Sequence, residues 1–256
     1  MANKMDFTSH NKVSLCGRIV RSFKAKRNEY RFEISIGRSA APVIDEKTGK
    51  KRYPLRRNEK GQVIGEKIIV RFFDKRGEEY FAKYKPGDFV VADAVVQTVR
   101  NHYDGSTKTD IWGLSFSPKV INGRLTNDHN RVDLRGKVVS SNVVNDNLVI
   151  VNILTKCTKK SILSGENMDP TIIETTYKSI TPVGIYYKDG SARAADKEFT
   201  KGTWLNVHGY LTTVRQDNVD GSFRRKILIR GTKIDVIGVV QPAEDELYQD
   251  YLREKL

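Results

Sequence analysis

The sequence predicts an all-β chain built as two tandem five-stranded barrels. Three observations carry that prediction. The first is a repeat. Tyr84-Lys85-Pro86-Gly87-Asp88-Phe89 leads through Val90, Val96, Thr98, Val99 and Arg100 to a turn at Asp104-Gly105-Ser106. Phe199-Thr200-Lys201-Gly202-Thr203-Trp204 leads in the same way through Leu205, Leu211, Thr213, Val214 and Arg215 to Asp220-Gly221-Ser222. Val214 minus Val99 is 115 and Gly221 minus Gly105 is 116, so one inserted residue separates the copies, as in a duplicated domain. The second observation is apolar alternation in the opening strand of each half. The third is length: 256 residues suffice for two domains of ordinary size.

Taken in order, residues 1–10 read as a frayed arm. Asn11-Lys12-Val13-Ser14-Leu15-Cys16-Gly17-Arg18-Ile19-Val20 then alternates like a half-buried strand, and Asn130-Arg131-Val132-Asp133-Leu134-Arg135-Gly136-Lys137-Val138-Val139 matches it. A glycine inside each strand permits the bend that a small closed barrel needs. Second strands follow at Tyr30 to Gly37, with Phe32, Ile34 and Ile36 on one face, and at Leu148 to Leu154. Long polar inserts come next, at 39–66 and 156–178; connections of this length are functional or disordered more often than structural. Third strands are Lys67 to Asp74 and, less sharply, Ile180 to Tyr187. Short helices at Gly77 to Lys83 and Ala192 to Phe199 lead to the fourth and fifth strands, which end near Val120-Ile121 and Val236-Ile237.

Five strands, a bend glycine and a short helix before strand four describe an OB-fold, a five-stranded Greek-key barrel. The expected layout is an arm at 1–10, one OB-fold at 11–122, a linker at 123–129, a second OB-fold at 130–238 and an acidic tail at 239–256. In that tail Leu247, Tyr248, Tyr251 and Leu252 stand at helical spacing. A short amphipathic helix and a partly ordered end are both open readings.

The charge is uneven. Residues 1–125 carry 26 basic and 14 acidic side chains, net +12; residues 126–240 carry 17 and 12, net +5; residues 241–256 carry 2 and 5, net −3. A basic body with an acidic tip implies a polyanionic partner for the body. The two cysteines, Cys16 and Cys157, have no metal-like spacing and suit a reducing compartment. No apolar run approaches membrane-spanning length and the first residues hold no signal-peptide core, so a cytoplasmic protein with no membrane partner is expected. Catalytic patterns are missing. His10, His102, His129 and His208 are scattered, and Gly49-Lys50 lacks the rest of a phosphate loop. No cofactor and no metal are implied.

With those residues in place, the chain resembles the bacterial single-stranded DNA-binding proteins. The resemblance covers about 11–122 and 130–238. Asn11-Lys12-Val13, Leu15 and Gly17 are similar to that family's opening strand, and Asn130-Arg131-Val132, Leu134 and Gly136 repeat it. Glu66-Lys67-Ile68-Ile69-Val70-Arg71-Phe72-Phe73-Asp74-Lys75 is similar to its third strand, and Lys201-Gly202-Thr203 through Gly209, Leu211 and Thr213 to its fourth. There are departures. Lys67 stands where the family has a DNA-stacking Trp, and Asn101 and Gln216 stand where it has a hairpin aromatic. The tail is short and ends Arg253-Glu254-Lys255-Leu256. The resemblance implies a bacterial host, with a chromosomal, plasmid or phage gene. It implies assembly into four barrels, which a dimer of this chain would supply, and a tail that recruits replication or recombination proteins.

Single strands present phosphates and unstacked bases, so a groove for them interleaves cations with flat side chains. Alternation in the third strand puts Ile68, Val70 and Phe72 on the core face and Lys67, Ile69, Arg71 and Phe73 outside. By resemblance, Phe73 matches the family's stacking Phe, and the same alignment picks Tyr186 in the second barrel. The resemblance also matches Lys12 and Arg131 to a base that touches phosphate. Arg18, Arg21, Phe23, Lys24, Lys26 and Arg27 read as a basic loop beside the presumed groove. Lys50, Lys51, Arg56 and Arg57 lie in the basic insert, and Arg100, Arg215, Arg224 and Arg225 on the hairpin arms. Trp204 reads as packed and Trp112 as either packed or stacking. The expected function is binding of single-stranded DNA with little sequence preference, protecting unwound strands in replication, recombination or repair. A tandem OB-fold RNA-binding protein, an adaptor using the barrels for protein contacts, and a subunit of a replication enzyme are the rivals.

Overall fold

The computed structural model describes residues 8–25, 28–37, 65–100, 107–118, 128–163, 171–217 and 223–239, with short stretches at 43–44, 49, 51–52, 59–60, 120–121 and 124–125. The elements are β1 (His10–Lys24), β2 (Glu29–Ile36), β3 (Val43–Ile44), β4 (Lys51–Arg52), β5 (Glu66–Phe73), α1 (Asp74–Lys83), β6 (Phe89–Arg100) and β7 (Thr107–Pro118). There follow β8 (Val120–Ile121), β9 (Arg124–Leu125), β10 (His129–Asn145), β11 (Leu148–Leu163), β12 (Thr171–Tyr186), α2 (Ala192–Asp196), β13 (Thr203–Asp217) and β14 (Phe223–Val239).

In the first barrel β1 pairs antiparallel with both β2 and β6, β2 with β5, and β6 with β7, while β5 runs parallel to β7. The five long strands therefore close in the order first, second, third, fifth, fourth and back to first, which is the OB-fold. The second barrel closes identically: β10 neighbours β11, then β12, β14 and β13, which returns to β10. The described residues form two compact units. One holds 12–132 together with 209–230; the other holds 8–11, 133–208 and 231–239.

The repeated glycines are fixed by close approach. A Cβ at Gly17 would overlap the carbonyl oxygen of Ser35, and one at Gly136 that of Leu154. Only a residue without a side chain lets the first strand approach the second so closely. Just beyond, both strands bulge, between Ile19 and Arg21 and between Val138 and Ser140. The turn glycines also correspond. Gly87 and Gly202 have φ of 101° and 100°, and their N–H groups donate to Ile19 O at 2.8 Å and Val138 O at 3.0 Å.

The cores differ in chemistry. Phe32, Phe72 and Phe116 meet edge to face in the first barrel, with centroids 4.5–5.7 Å apart. Tyr80 and Tyr84, on and just past α1, close onto Phe116 at 5.6 Å each. Such pairs contribute about 0.5–1.5 kcal/mol beyond their buried area. The second core is mostly aliphatic, with Val132, Leu134, Val149, Val151, Ile153, Val183, Ile185, Leu205 and Val207 buried, and Phe199 and Trp204 beside them.

Three sequence expectations are corrected. The first strand does not end at Val20; the bulge lets it continue to Lys24, so Arg21, Phe23 and Lys24 lie on a strand paired with β2 and not in a loop. Residues 156–178 are not wholly an irregular insert: β11 and β12 stay in antiparallel register out to Leu163 opposite Thr171. Thr155, Thr158, Ile162, Ile172, Ile173, Thr175 and Thr176 supply the β-branched side chains that favour such a ribbon. The arm is not frayed at its described end. Ser9 Oγ donates to Arg135 O at 3.0 Å and accepts from Lys156 N at 2.8 Å. The C-terminal tail lies outside the described residues.

Candidate nucleic-acid interface

The outward face of β5 is the starting point. Burial alternates as the sequence requires: Ile68, Val70 and Phe72 are 0–1% exposed, while Ile69, Arg71 and Phe73 are half-buried and Lys67 is exposed. Strand pairing then aligns this face with its neighbours. Phe23 of β1 sits opposite Arg31 of β2, Arg31 opposite Arg71 of β5, and Arg71 opposite Trp112 of β7. One row across four strands thus reads aromatic, arginine, arginine, aromatic. Phe73 is the next outward residue of β5 after Arg71 and meets Trp112 at a centroid distance of 5.3 Å and an interplanar angle of 69°. Phe23 lies under two guanidinium groups, with the Arg21 and Arg31 carbons 5.1 and 5.7 Å from its centroid. These are cation–π distances.

Carboxylates hold the arginines in place. Arg71 Nη2 is 2.9 Å from Asp110 Oδ1, and Arg71 Nη1 is 3.4 Å from Glu29 Oε1. Arg31 Nε donates to Glu29 Oε1, and Arg21 pairs with Glu33 at 2.9 Å. Lys108 stands 3.3 Å from the same Asp110 oxygen. Burial pushes the Glu29 carboxyl up, but the hydrogen bond from Arg31 and the charges of Arg71, Arg31 and Lys108 outweigh it and hold the group below its usual value. The Glu29 hydrogen bond in turn raises the Arg31 guanidinium. The result is an array of rings and carboxylate-paired cations on one face of the first barrel. Such a surface can stack bases and neutralise phosphates with little loss of side-chain freedom.

In the second barrel the same register gives different chemistry. Asn142 faces Ile150, and Ile150 faces Gly184, where the first barrel has Phe23, Arg31 and Arg71. Ser140, Asn152 and Pro182 take the places of Arg21, Glu33 and Ile69. Leu148 faces Tyr186 as Glu29 faces Phe73, so Tyr186, 48% exposed, does occupy the position of Phe73. None of the residues at the compared positions of β10, β11 and β12 is charged.

No family model and no curated protein matches the sequence. Solved structures do. The wild-type single-stranded DNA binding protein from Thermus aquaticus superimposes with a TM-score of 0.55 at 13% identity, covering 93% of this chain and 97% of that one. A deletion mutant of the same protein gives 0.55 at 14% identity, covering 93% and 99%. The chain shares their fold.

The remaining sequence candidates fall into two groups. Lys12, Arg18, Lys24 and Arg131 are exposed on described strands, Lys24 with its Nζ 5.3 Å from the Tyr30 ring centroid. Lys26, Arg27, Lys50, Arg56 and Arg57 lie outside the described residues; Lys51, Arg100, Arg215, Arg224 and Arg225 lie on strands whose side chains there are not described. Trp204 is packed, at 4% exposed. Sequence reading missed Arg31, although Tyr30, Phe32, Ile34 and Ile36 already forced it outward. It also left Trp112 open, because its partner Arg71 is distant in sequence. Among the described residues no cluster of His, Cys, Asp or Glu could hold a metal, and no helix is long and apolar enough to cross a membrane.

Proposed function

We propose that the chain binds single-stranded DNA with little sequence preference, acting as a binding protein and not as an enzyme. The row Phe23–Arg31–Arg71–Trp112, with Phe73 beside it, carries the reading. Every base has a face that can stack on a ring, and the cations serve phosphates of any sequence. The fold shared with the Thermus aquaticus protein supports it. In this reading the chain covers unwound strands during replication, recombination or repair in a bacterial cytoplasm, whether the gene is chromosomal, plasmid or phage. The first barrel is the principal site. The second, in which Ser140, Ile150 and Gly184 stand for Arg21, Arg31 and Arg71, adds a weaker footprint and serves assembly, and a dimer of the chain would present four barrels. The tail recruits replication or recombination proteins.

The test is fluorescence quenching of the intact protein by oligo-dT of increasing length at two salt concentrations, with oligo-U as competitor. Tight, salt-dependent binding that favours dT supports the reading. Preference for oligo-U would make the chain an RNA-binding protein. Absence of salt-dependent binding to either would make it an adaptor.

A further inference from the structure

The unit that contains the first barrel also contains 209–230, the outer part of the β13–β14 hairpin. Two side chains of that unit hold its entry. Glu66, the first residue of β5, accepts three hydrogen bonds: from Thr212 Oγ1 at 3.3 Å, from Thr213 N at 3.2 Å and from Thr213 Oγ1 at 2.9 Å. Asn130 pairs with the Leu211 backbone in both directions, Nδ2 donating to Leu211 O at 2.7 Å and Oδ1 accepting from Leu211 N at 2.9 Å. Residues 211, 212 and 213 are thus gripped in succession.

Glu66 has the inward parity of Ile68 and Val70, so its carboxylate is turned from the outward row that begins at the exposed Lys67 and is used instead on the three donors of the hairpin. What the grip positions is basic. Beyond Thr213 the hairpin sequence holds Arg215, Arg224, Arg225, Lys226 and Arg230 against Asp217 and Asp220, and Lys226 and Arg230 are exposed. Lys67 ends the outward row that runs through Ile69 and Arg71 to Phe73, about 20 Å along the strand.

We infer that Glu66 is a positioning residue for nucleic-acid binding. It fixes the β13–β14 hairpin at the far end of β5, so that the hairpin's cations extend the phosphate track begun by the first barrel. This rests on the single-stranded DNA reading above.

The experiment compares wild type with Glu66→Ala, Thr213→Val and Thr213→Ser in the full chain. Amide exchange at Thr213 reports the grip itself. Oligo-dT titrations, short and long, at graded salt report its use. Exchange at Thr213 is expected to speed up in Glu66→Ala and Thr213→Val. Short oligonucleotides, which span β5 alone, should bind as tightly as to wild type. Longer ones should bind more weakly, with a log–log salt slope shallower by about 1.4 if the hairpin serves two phosphates. Thr213→Ser keeps the hydroxyl and should restore both readouts. A change in stability with no change in slope or length dependence would make the grip merely structural and overturn the inference. Unaltered exchange in Glu66→Ala would overturn it too. Failure of wild type to bind any oligonucleotide overturns this inference together with the reading beneath it; wild-type binding that the freed hairpin leaves unchanged overturns this inference alone.

Discussion

Phe73 stands edge to face against Trp112, with ring centroids 5.3 Å apart, while its neighbour Phe72 is 1% exposed among Phe32, Phe116 and Tyr80. Two adjacent phenylalanines therefore face opposite ways, and their substitutions should fail differently. Phe73→Ala is expected to weaken oligo-dT binding by about 1–3 kcal/mol while leaving the circular dichroism spectrum and the urea midpoint near wild type. Phe72→Ala is expected to destabilise the first barrel by about 3–5 kcal/mol. Tyr186→Ala should weaken binding less than Phe73→Ala. A larger loss at Tyr186 would make the second barrel the principal site.

Arg71 and Lys67 share a face, but only one is tied to buried acid. Lys67→Ala should leave stability unchanged and reduce the log–log salt slope by about 0.7, the value for one phosphate. Arg71→Ala should also cost stability, about 1–3 kcal/mol, because Asp110 at 6% exposed loses the nearer of its two cationic partners among the described residues, at 2.9 Å, and keeps Lys108 at 3.3 Å. Urea denaturation set beside the salt titration separates the two effects.

Glu29 gives the face a pH dependence. Its carboxyl titrates below the ordinary value of 4.5 in the folded chain. A depressed folded value means that its contribution to stability is fully present above about pH 4.5 and disappears as pH falls through the lower, folded value. The gap in urea midpoint between wild type and Glu29→Gln should thus be constant from neutral pH down to about pH 5 and close below it. A gap that persists at the acid end would show that the carboxylate charge is not what holds Arg31 and Arg71.

The basic insert offers a test that depends on charge alone. Changing Lys50, Lys51, Arg56 and Arg57 to Ala together should weaken binding to all sequences alike. It should reduce the salt slope by up to about 2.8, at about 0.7 for each phosphate that these cations neutralise. An unchanged slope would place all four away from the DNA.

The sequence by itself determined the barrels and their faces. A repeat with one inserted residue announces two copies. Alternation separates Phe72 from Phe73, because successive side chains of a strand point to opposite sides whatever the strand pairs with. Tyr186 as the counterpart of Phe73 came from the family resemblance, because the spacing between strands differs in the two copies; the strand register puts Tyr186 in that position. Tertiary structure decided everything that depends on register. Phe23, Arg31, Arg71 and Trp112 form one row only because β1, β2, β5 and β7 pair as they do. The holding of Arg71 by Asp110, and of Thr212 and Thr213 by Glu66, joins residues 39 positions apart in one case and 146 or 147 in the other. Strand periodicity is local, so it fixes which way a side chain points. Which cation lies beside which ring or carboxylate depends on pairing between distant strands, and that is set only when the barrel closes.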